Sequence, residues 1–384
     1  MFNSFSASYA GHVVDDHLGL EGTPANDRWY SNEQLAEVFD WALDISRHLE
    51  DNGYDEFWMA EHHFQPEGYE CIPNLIMLGL YLACNTQRLK YGCGFNITPM
   101  WHPLRLAEDF AMADILSGGR IIFGVGRGYH SREVETFGSP MFDGDANREL
   151  FEEQVEVMVK AFNEEAFSHE GKHYQIPARV PYRGYTLEKL SLVPRPLRQP
   201  VDIWQPLVSG NPKGVDFMAR IGIKAMVANT PEPARHERLT MYQQAAAKYG
   251  RELQLGEDIA LGYRFFLGAN REEAIKEAKP YFEEAMKFAA PLGLMRLEQD
   301  QIEAVANPGL RRGVQLPTLE EAVESGAWLC GSADDLINAL KEDEARYPGV
   351  ERINLGSVMG MPLEVFKDQL SRFAEDVMPA FNDS

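Results

Sequence analysis

Apolar and polar positions along this chain fall into two periods, strand-like and helix-like, and the two take turns. Residues 2–10 read as a first strand rich in serine, followed by a polar loop over 11–30. Ser31 suits an N-cap, and Gln34 completes a capping box three residues on. The helix it opens runs to Gly53, with an apolar stripe at Leu35, Val38, Phe39, Ala42, Ile45 and Leu49. The pattern then predicts strands over 55–60, 89–98, 121–125, 201–208, 224–228, 259–267 and 352–358. Helices are expected between and after them, over 74–85, 104–117, 148–165, 212–220, 233–249, 271–289 and 363–377. Gly118-Gly119 stops the one over 104–117, as glycine does just past a helix end. An additional helix over 333–343 precedes the last strand. Residues 175–199, rich in Pro, Arg and Tyr, read as an insertion, and residues 291–327 as a second.

Eight strands, each followed by a helix, predict an α/β fold: a (β/α)₈ TIM barrel with insertions, one domain over residues 1–384. An open doubly wound sheet shares this alternation. A dinucleotide-binding version of it is poorly supported. Gly124, Gly126 and Gly128 follow a strand, but the third glycine falls one residue early for G-x-G-x-x-G. The acidic residue expected about 20 positions later has no strand to sit on.

The chain has 384 residues, which barrels of about 250 residues reach with insertions. With 59 acidic against 36 basic residues the net charge is −23, a surface that repels phosphate backbones and anionic lipid. Nucleic acid and membrane are therefore not expected partners. The longest apolar run, residues 75–84, is too short to span a bilayer. The first ten residues lack a basic stretch followed by an apolar one. The four cysteines form no C-x-x-C pair, and a reduced, cytoplasmic enzyme is expected.

In a barrel the working residues lie at the carboxyl ends of the strands. That rule selects Glu61, His62 and His63 after the second strand, and Gly92, Gly94, Phe95 and Asn96 in the third. After the fourth come Arg127, Tyr129 and His130, and after the fifth Ser209, Gly210 and Asn211. Adjacent residues at a strand end point to opposite faces, so one of His62 and His63 can face the barrel mouth; either can equally pack under a loop. No histidine follows strands five to eight and no H-x-H or H-E-x-x-H pattern is present, so no metal site is expected.

Arg127, between two glycines, offers a planar fork for phosphate, or pairs with Glu133 or Glu135 in a tight turn. Asn211 and Pro212 are placed as N-cap and N1 of a helix whose start suits an anion, or is simply well capped. The two lie on neighbouring strands, and together they suggest a clamp for a small phosphorylated ligand. Glycines in the third strand suggest close approach of something flat or of another backbone. Phe64, Trp101, Tyr129, His130 and Trp204 are candidates for an apolar mouth or for core.

Trp58-Met59-Ala60-Glu61-His62-His63-Phe64 resembles the second-strand motif of bacterial luciferase and its monooxygenase relatives. His102-Pro103-Leu104-Arg105-Leu106-Ala107-Glu108-Asp109 and residues 116–128, from Leu116-Ser117-Gly118 to Gly126-Arg127-Gly128, resemble the next two motifs in the same order. Phe137-Gly138, Gly171-Lys172-His173-Tyr174, Ser209-Gly210-Asn211, Cys330-Gly331-Ser332 and Met378-Pro379 extend the likeness at lower density. The resemblance implies a (β/α)₈ barrel, a homodimer, and reduced FMN delivered by a separate flavin reductase. With O₂ it would oxygenate a small organic substrate by hydroxylation or Baeyer–Villiger insertion. It implies His62 as the catalytic histidine beside the flavin, with Gly94, Phe95 and the neighbouring Asn96 against the ring system. Arg127 would grip the phosphate with Gly210, Asn211 and Gly214. Apart from the likeness, Phe64, Trp101, Tyr129 and His130 are the substrate-pocket candidates by their place near strand ends. Luciferase itself has a cysteine where Gly126 stands and alanines where Gly94 and Phe95 stand, so its light reaction is not implied. A deazaflavin (F420)-dependent oxidoreductase and a non-catalytic flavin-binding barrel remain alternatives on the same fold.

Overall fold

The computed structural model of the chain describes residues 2–295 and 297–382. Eight parallel strands close on themselves: β1 (Ser4–Tyr9), β2 (Glu56–Met59), β3 (Lys90–Cys93), β4 (Ile121–Gly126), β5 (Ile203–Pro206), β6 (Lys224–Ala228), β7 (Ile259–Leu267) and β8 (Arg352–Gly356). Each pairs with its successor, and β8 returns to β1 with Ser4 opposite Arg352. The β4–β5 pairing, Ile203 opposite Phe123, together with that return, excludes the open sheet. Around it run α1 (Asn32–Asp51), α2 (Leu75–Cys84), α3 (Pro103–Ser117), α4 (Gly144–Asn163), α5 (Pro212–Ile221), α6 (Ala234–Lys248), α7 (Arg271–Ala289) and α8 (Leu363–Arg372). The Ser31–Gln34 capping box opens α1, and Val38, Ala42, Ile45 and Leu49 of its stripe are buried.

Three features depart from the sequence-based expectation. The third strand breaks after Cys93 and resumes only at Asn96–Ile97, with the Gly94 N–H turned to the Met59 carbonyl at 2.7 Å. Helix α4 begins at Gly144 rather than 148, because the Asp143 side chain caps it by accepting from the Asp145 and Ala146 N–H groups. Its first turn has no apolar stripe to announce it. The second insertion carries two short helices, Gln299–Ala306 and Leu319–Glu324. It ends in an unanticipated strand, Trp328–Gly331, parallel to the outer half of β7.

The barrel interior is floored by Trp58, Trp204, Met226 and Ala260, with the two indoles edge to face at 5.7 Å. Gly92 faces this floor. A Cβ there would sit 2.2 Å from the Trp58 ring, so the glycine serves packing of the indole rather than approach of a ligand. Gly92→Ala is expected to destabilise the fold by about 1–3 kcal/mol through overpacking, read as a lower denaturation midpoint at unchanged slope.

Candidate active site

Above the tryptophan floor, at the carboxyl ends of the strands, lies a cavity of about 640 Å³. That volume lies in the range of pockets that enclose a drug-sized ligand. Its wall includes Tyr9, Trp58, His62, Glu70, Gly94, Phe95, Arg127, Tyr129, Asn147, Arg148, Gln205, Ser209, Asn211, Gly214 and Arg264.

One end is cationic. Arg127 leaves β4 and is held by helix α4: its Nε donates to Asn147 Oδ1 at 2.8 Å and one terminal nitrogen to the Gly144 carbonyl at 2.9 Å. Neither acid proposed as its turn partner takes it. Glu133 binds His62, and Glu135 accepts from the Met141 and Phe142 N–H groups. Arg148, one turn into α4, points the same way. Its guanidinium lies over the first turn of α5, 2.9 Å from where a Cβ on Gly214 would be, so a larger residue there would make the arginine tip shift. Asn211 caps α5 by accepting from the Lys213 N–H at 3.0 Å, with Pro212 at N1. Burial, and after it the charge of Arg148, holds Arg127 below the ordinary guanidinium value. Two arginines and a helix N-terminus converging on one end have the chemistry that suits a phosphate dianion, which would relieve their repulsion.

The other end carries a buried proton network. His62 lines the cavity, whereas His63 turns away to Glu61 (3.1 Å) and the Phe137 ring. His62 Nδ1 lies 3.2 Å from Glu133 Oε2, and its Nε2 lies 2.9 Å from the Tyr129 hydroxyl and 3.2 Å from Glu70 Oε2. Tyr129 in turn donates to both Glu70 oxygens at 3.0 Å. Glu133 also accepts from the His63 N–H and the Gln65 amide. Burial alone would lower the His62 pKa. The charge of Glu70, and then the hydrogen bond and charge of Glu133, outweigh it and raise the value above the ordinary histidine range. Glu133 is held below the usual carboxylate range: its burial is outweighed by the bond and charge of His62. With a carboxylate facing each nitrogen, the imidazolium can donate on both sides.

The structure redistributes the candidates. Of the four residues expected to border a substrate, only Tyr129 is on the cavity wall. Phe64 is 51% exposed and stacks on Phe137 outside it. The Trp101 indole donates to Glu61 and packs on the core. His130 stands behind the wall, bonded to Glu70. Asn96 is fully buried with its amide donating to the Gly124 carbonyl at 2.8 Å, pinning β4 rather than facing the cavity. Gly210 lies beside the wall, while Ser209, Asn211 and Gly214 form it. Against the strand-end ligand count, His62, Glu70 and His130 bring three potential metal-ligand atoms within 4.8 Å of one another. Glu70, Glu133, Asn147, Arg148 and Arg264 were missed, because none stands in a recognisable motif and tertiary packing alone gathers them.

The sequence profile of the family described as luciferase-like monooxygenase matches residues 20–352. The chain belongs to that family. It is an oxidoreductase that incorporates oxygen, and its cofactor is a flavin. It is 25% identical over 372 residues to the flavin-dependent trigonelline monooxygenase, oxygenase component, of Acinetobacter baylyi (strain ATCC 33305 / BD413 / ADP1), covering 93% of this chain and 94% of that one. The fold is that of the oxygenating constituent of 3,6-diketocamphane monooxygenase from Pseudomonas putida, in complex with FMN (TM-score 0.73, 17% identity, 99% of each chain). It is also that of the coenzyme F420 dependent tetrahydromethanopterin reductase from Methanopyrus kandleri (TM-score 0.64, 16% identity, 100% of each chain).

The cavity of this luciferase-like monooxygenase fits a flavin on its own evidence. Beyond the phosphate end, Gln205 Oε1 and the Tyr9 hydroxyl are buried without a hydrogen-bond partner among the described residues, and both residues line the cavity. A heterocycle rich in donors and acceptors would satisfy them. A Cβ on Gly94 would already crowd Trp58 at 3.1 Å, so the backbone there presents a flat surface.

Proposed function

We propose that this luciferase-like monooxygenase is the oxygenase component of a two-component system, using reduced FMN and O₂ to oxygenate a small organic substrate. The observation that carries the reading is the joint placement of an arginine pair at a helix start and a doubly carboxylate-bound histidine on one cavity wall. Arg127 and Arg148 would hold the FMN phosphate with Ser209, Asn211 and the first turn of α5, while Tyr9, Gly94, Phe95 and Gln205 would border the ring system. When bound, the reduced flavin supplies the electron pair that lets one atom of O₂ enter the substrate and the other leave as water. Glu133 fixes the His62 ring through Nδ1. Nε2, which hydrogen-bonds Tyr129 on the cavity side, is then the atom that gives or takes a proton near the reacting groups. The apolar residues Met226, Phe288, Leu294 and Met359 on the wall keep water away from them.

A homodimer in the cytoplasm, served by a separate flavin reductase, belongs to the same reading. Among the described residues no helix is long and apolar enough to cross a membrane. The F420-dependent reading on this barrel is separated by anaerobic titration with FMNH₂ and F420H₂ followed by admission of oxygen. Tight binding of FMNH₂ and its oxygen-dependent turnover are expected, and oxygen-independent hydride transfer from F420H₂ would overturn the proposal. The purified chain with FMN alone is also expected not to oxidise NADH rapidly, since the glycines of β4 have the wrong spacing for a dinucleotide. Rapid NADH loss in a reductase-free preparation would contradict the two-component arrangement.

A further inference from the structure

Arg264 stands near the carboxyl end of β7, opposite Gly356 of β8 and Trp328 of the additional strand. Its stem packs beside Gly356, where an added Cβ would lie in ordinary contact with Arg264 Cγ at 3.8 Å. Its guanidinium lies over the buried Trp328 ring, 5.8 Å from the centroid, and the residue forms part of the cavity wall. Among the described residues it makes no hydrogen bond and no ion pair. The nearby carboxylate, Glu70, is taken up by Tyr129, His62 and His130. Burial holds the guanidinium below its ordinary value, opposed by the charge of Glu70 and then of Tyr129.

The cavity thus holds a guanidinium whose hydrogen-bond donors the proposed flavin chemistry does not use. A flavin phosphate would neutralise Arg127 and Arg148 on β4 and α4. His62 is matched by Glu133 and Glu70. The negative charge left by two carboxylates on one imidazolium offsets Arg264 at a distance, but its fork, three strands round the barrel from Arg127, has no hydrogen-bond partner among the described residues. A half-buried planar fork braced on an aromatic ring, with no hydrogen-bond acceptor among the described residues, is preorganised for a carboxylate. The cavity wall also carries the apolar Phe288, Leu294 and Met359, beside the polar Asn354 and Ser357 of β8 and the loop after it.

We infer that Arg264 anchors a carboxylate on the substrate, so that this enzyme oxygenates small organic acids with an apolar body. The inference rests on the flavin reading, which assigns the other two arginines to phosphate. The carboxylate would sit beside the Glu70–Tyr129–His62 network and so place the apolar body over the middle of the cavity.

The test uses acid and amide pairs of matched shape: nicotinate and nicotinamide, benzoate and benzamide, hexanoate and hexanamide. Binding to the FMN-saturated chain is measured by calorimetry near neutral pH. At least one acid is expected to bind about 10- to 150-fold more tightly than its amide. Arg264→Gln is expected to erase that preference while FMN affinity stays within about twofold, and Arg264→Lys, which keeps the charge but not the fork, to retain part of it. Absence of any acid preference across the panel, or its survival in Arg264→Gln, overturns the inference. The wild-type comparison needs no variant to fold. Repeating it with inorganic phosphate in place of FMN separates the two readings. A chain that fails to bind FMN but still prefers acids sinks the flavin proposal alone, whereas one that binds FMN without preferring acids sinks this one alone.

Discussion

Replacing His62 by alanine is expected to cut the yield of oxygenated product by ~10²- to 10⁴-fold, the usual worth of a positioned proton donor or acceptor. FMN affinity should hardly change, because the arginine pair lies at the other end of the cavity. Reduced flavin would still meet oxygen, so hydrogen peroxide should replace product. His63→Ala should leave the yield intact and affect mainly stability, since that ring packs against Phe137 and Glu61 away from the cavity. Single-turnover product yield with pre-reduced FMN checks both, and loss of product in His63→Ala with retention in His62→Ala would reverse the assignment. The raised pKa of His62 adds a second readout. If the imidazolium is the working form, the rate falls as pH rises through that raised value. Glu133→Gln keeps the shape but removes a charge that favours the cation, so the alkaline limb should move to lower pH.

Loss of the phosphate clamp is the second large effect. Arg127→Ala or Arg148→Ala should each weaken FMN about 10- to 150-fold, from loss of one charge-assisted contact. The double variant should weaken FMN by less than the product of the two single effects, because the sites are coupled. The guanidinium groups repel each other, as the lowering of Arg127 by Arg148 reflects, so removing one eases the other. Fluorescence titration of the folded variants measures this. Unchanged affinity in both single variants would remove the clamp from these residues.

What was legible in the sequence follows from periodicity and local chemistry. β6, β7 and α7 appear with their expected bounds, and α1 with its capping box, because apolar spacing and end signals are local properties. The choice of His62 over His63 rested on strand alternation and family likeness, and the cavity does lie on the His62 side. The extent of α4 was not legible, since its polar first turn gives no stripe and depends on Asp143 for its cap. Arg148 was read as a helix start for that reason, although it faces the same cavity end as Arg127.

Other misplacements share one cause: residue type and strand-end position do not say which neighbour a side chain finds. Gly92 looked like a place for a ligand and is occupied by Trp58. Phe64 and Trp101 looked like pocket residues, but one stacks at the surface and the other donates to Glu61. Conversely Glu70, Glu133 and Arg264, unremarkable in sequence, converge only when β2, β4 and β7 are brought round the barrel, 63 residues separating Glu70 from Glu133 and 131 separating Glu133 from Arg264. The sequence by itself determined the class of fold and the family, and it singled out Arg127 and His62 as candidates. Closure of the barrel decided which charges meet, and with that the raised pKa of His62, the second arginine beside Arg127 and the unbonded fork of Arg264 on β7. Those depend on distances between side chains far apart in the chain, which no local pattern encodes.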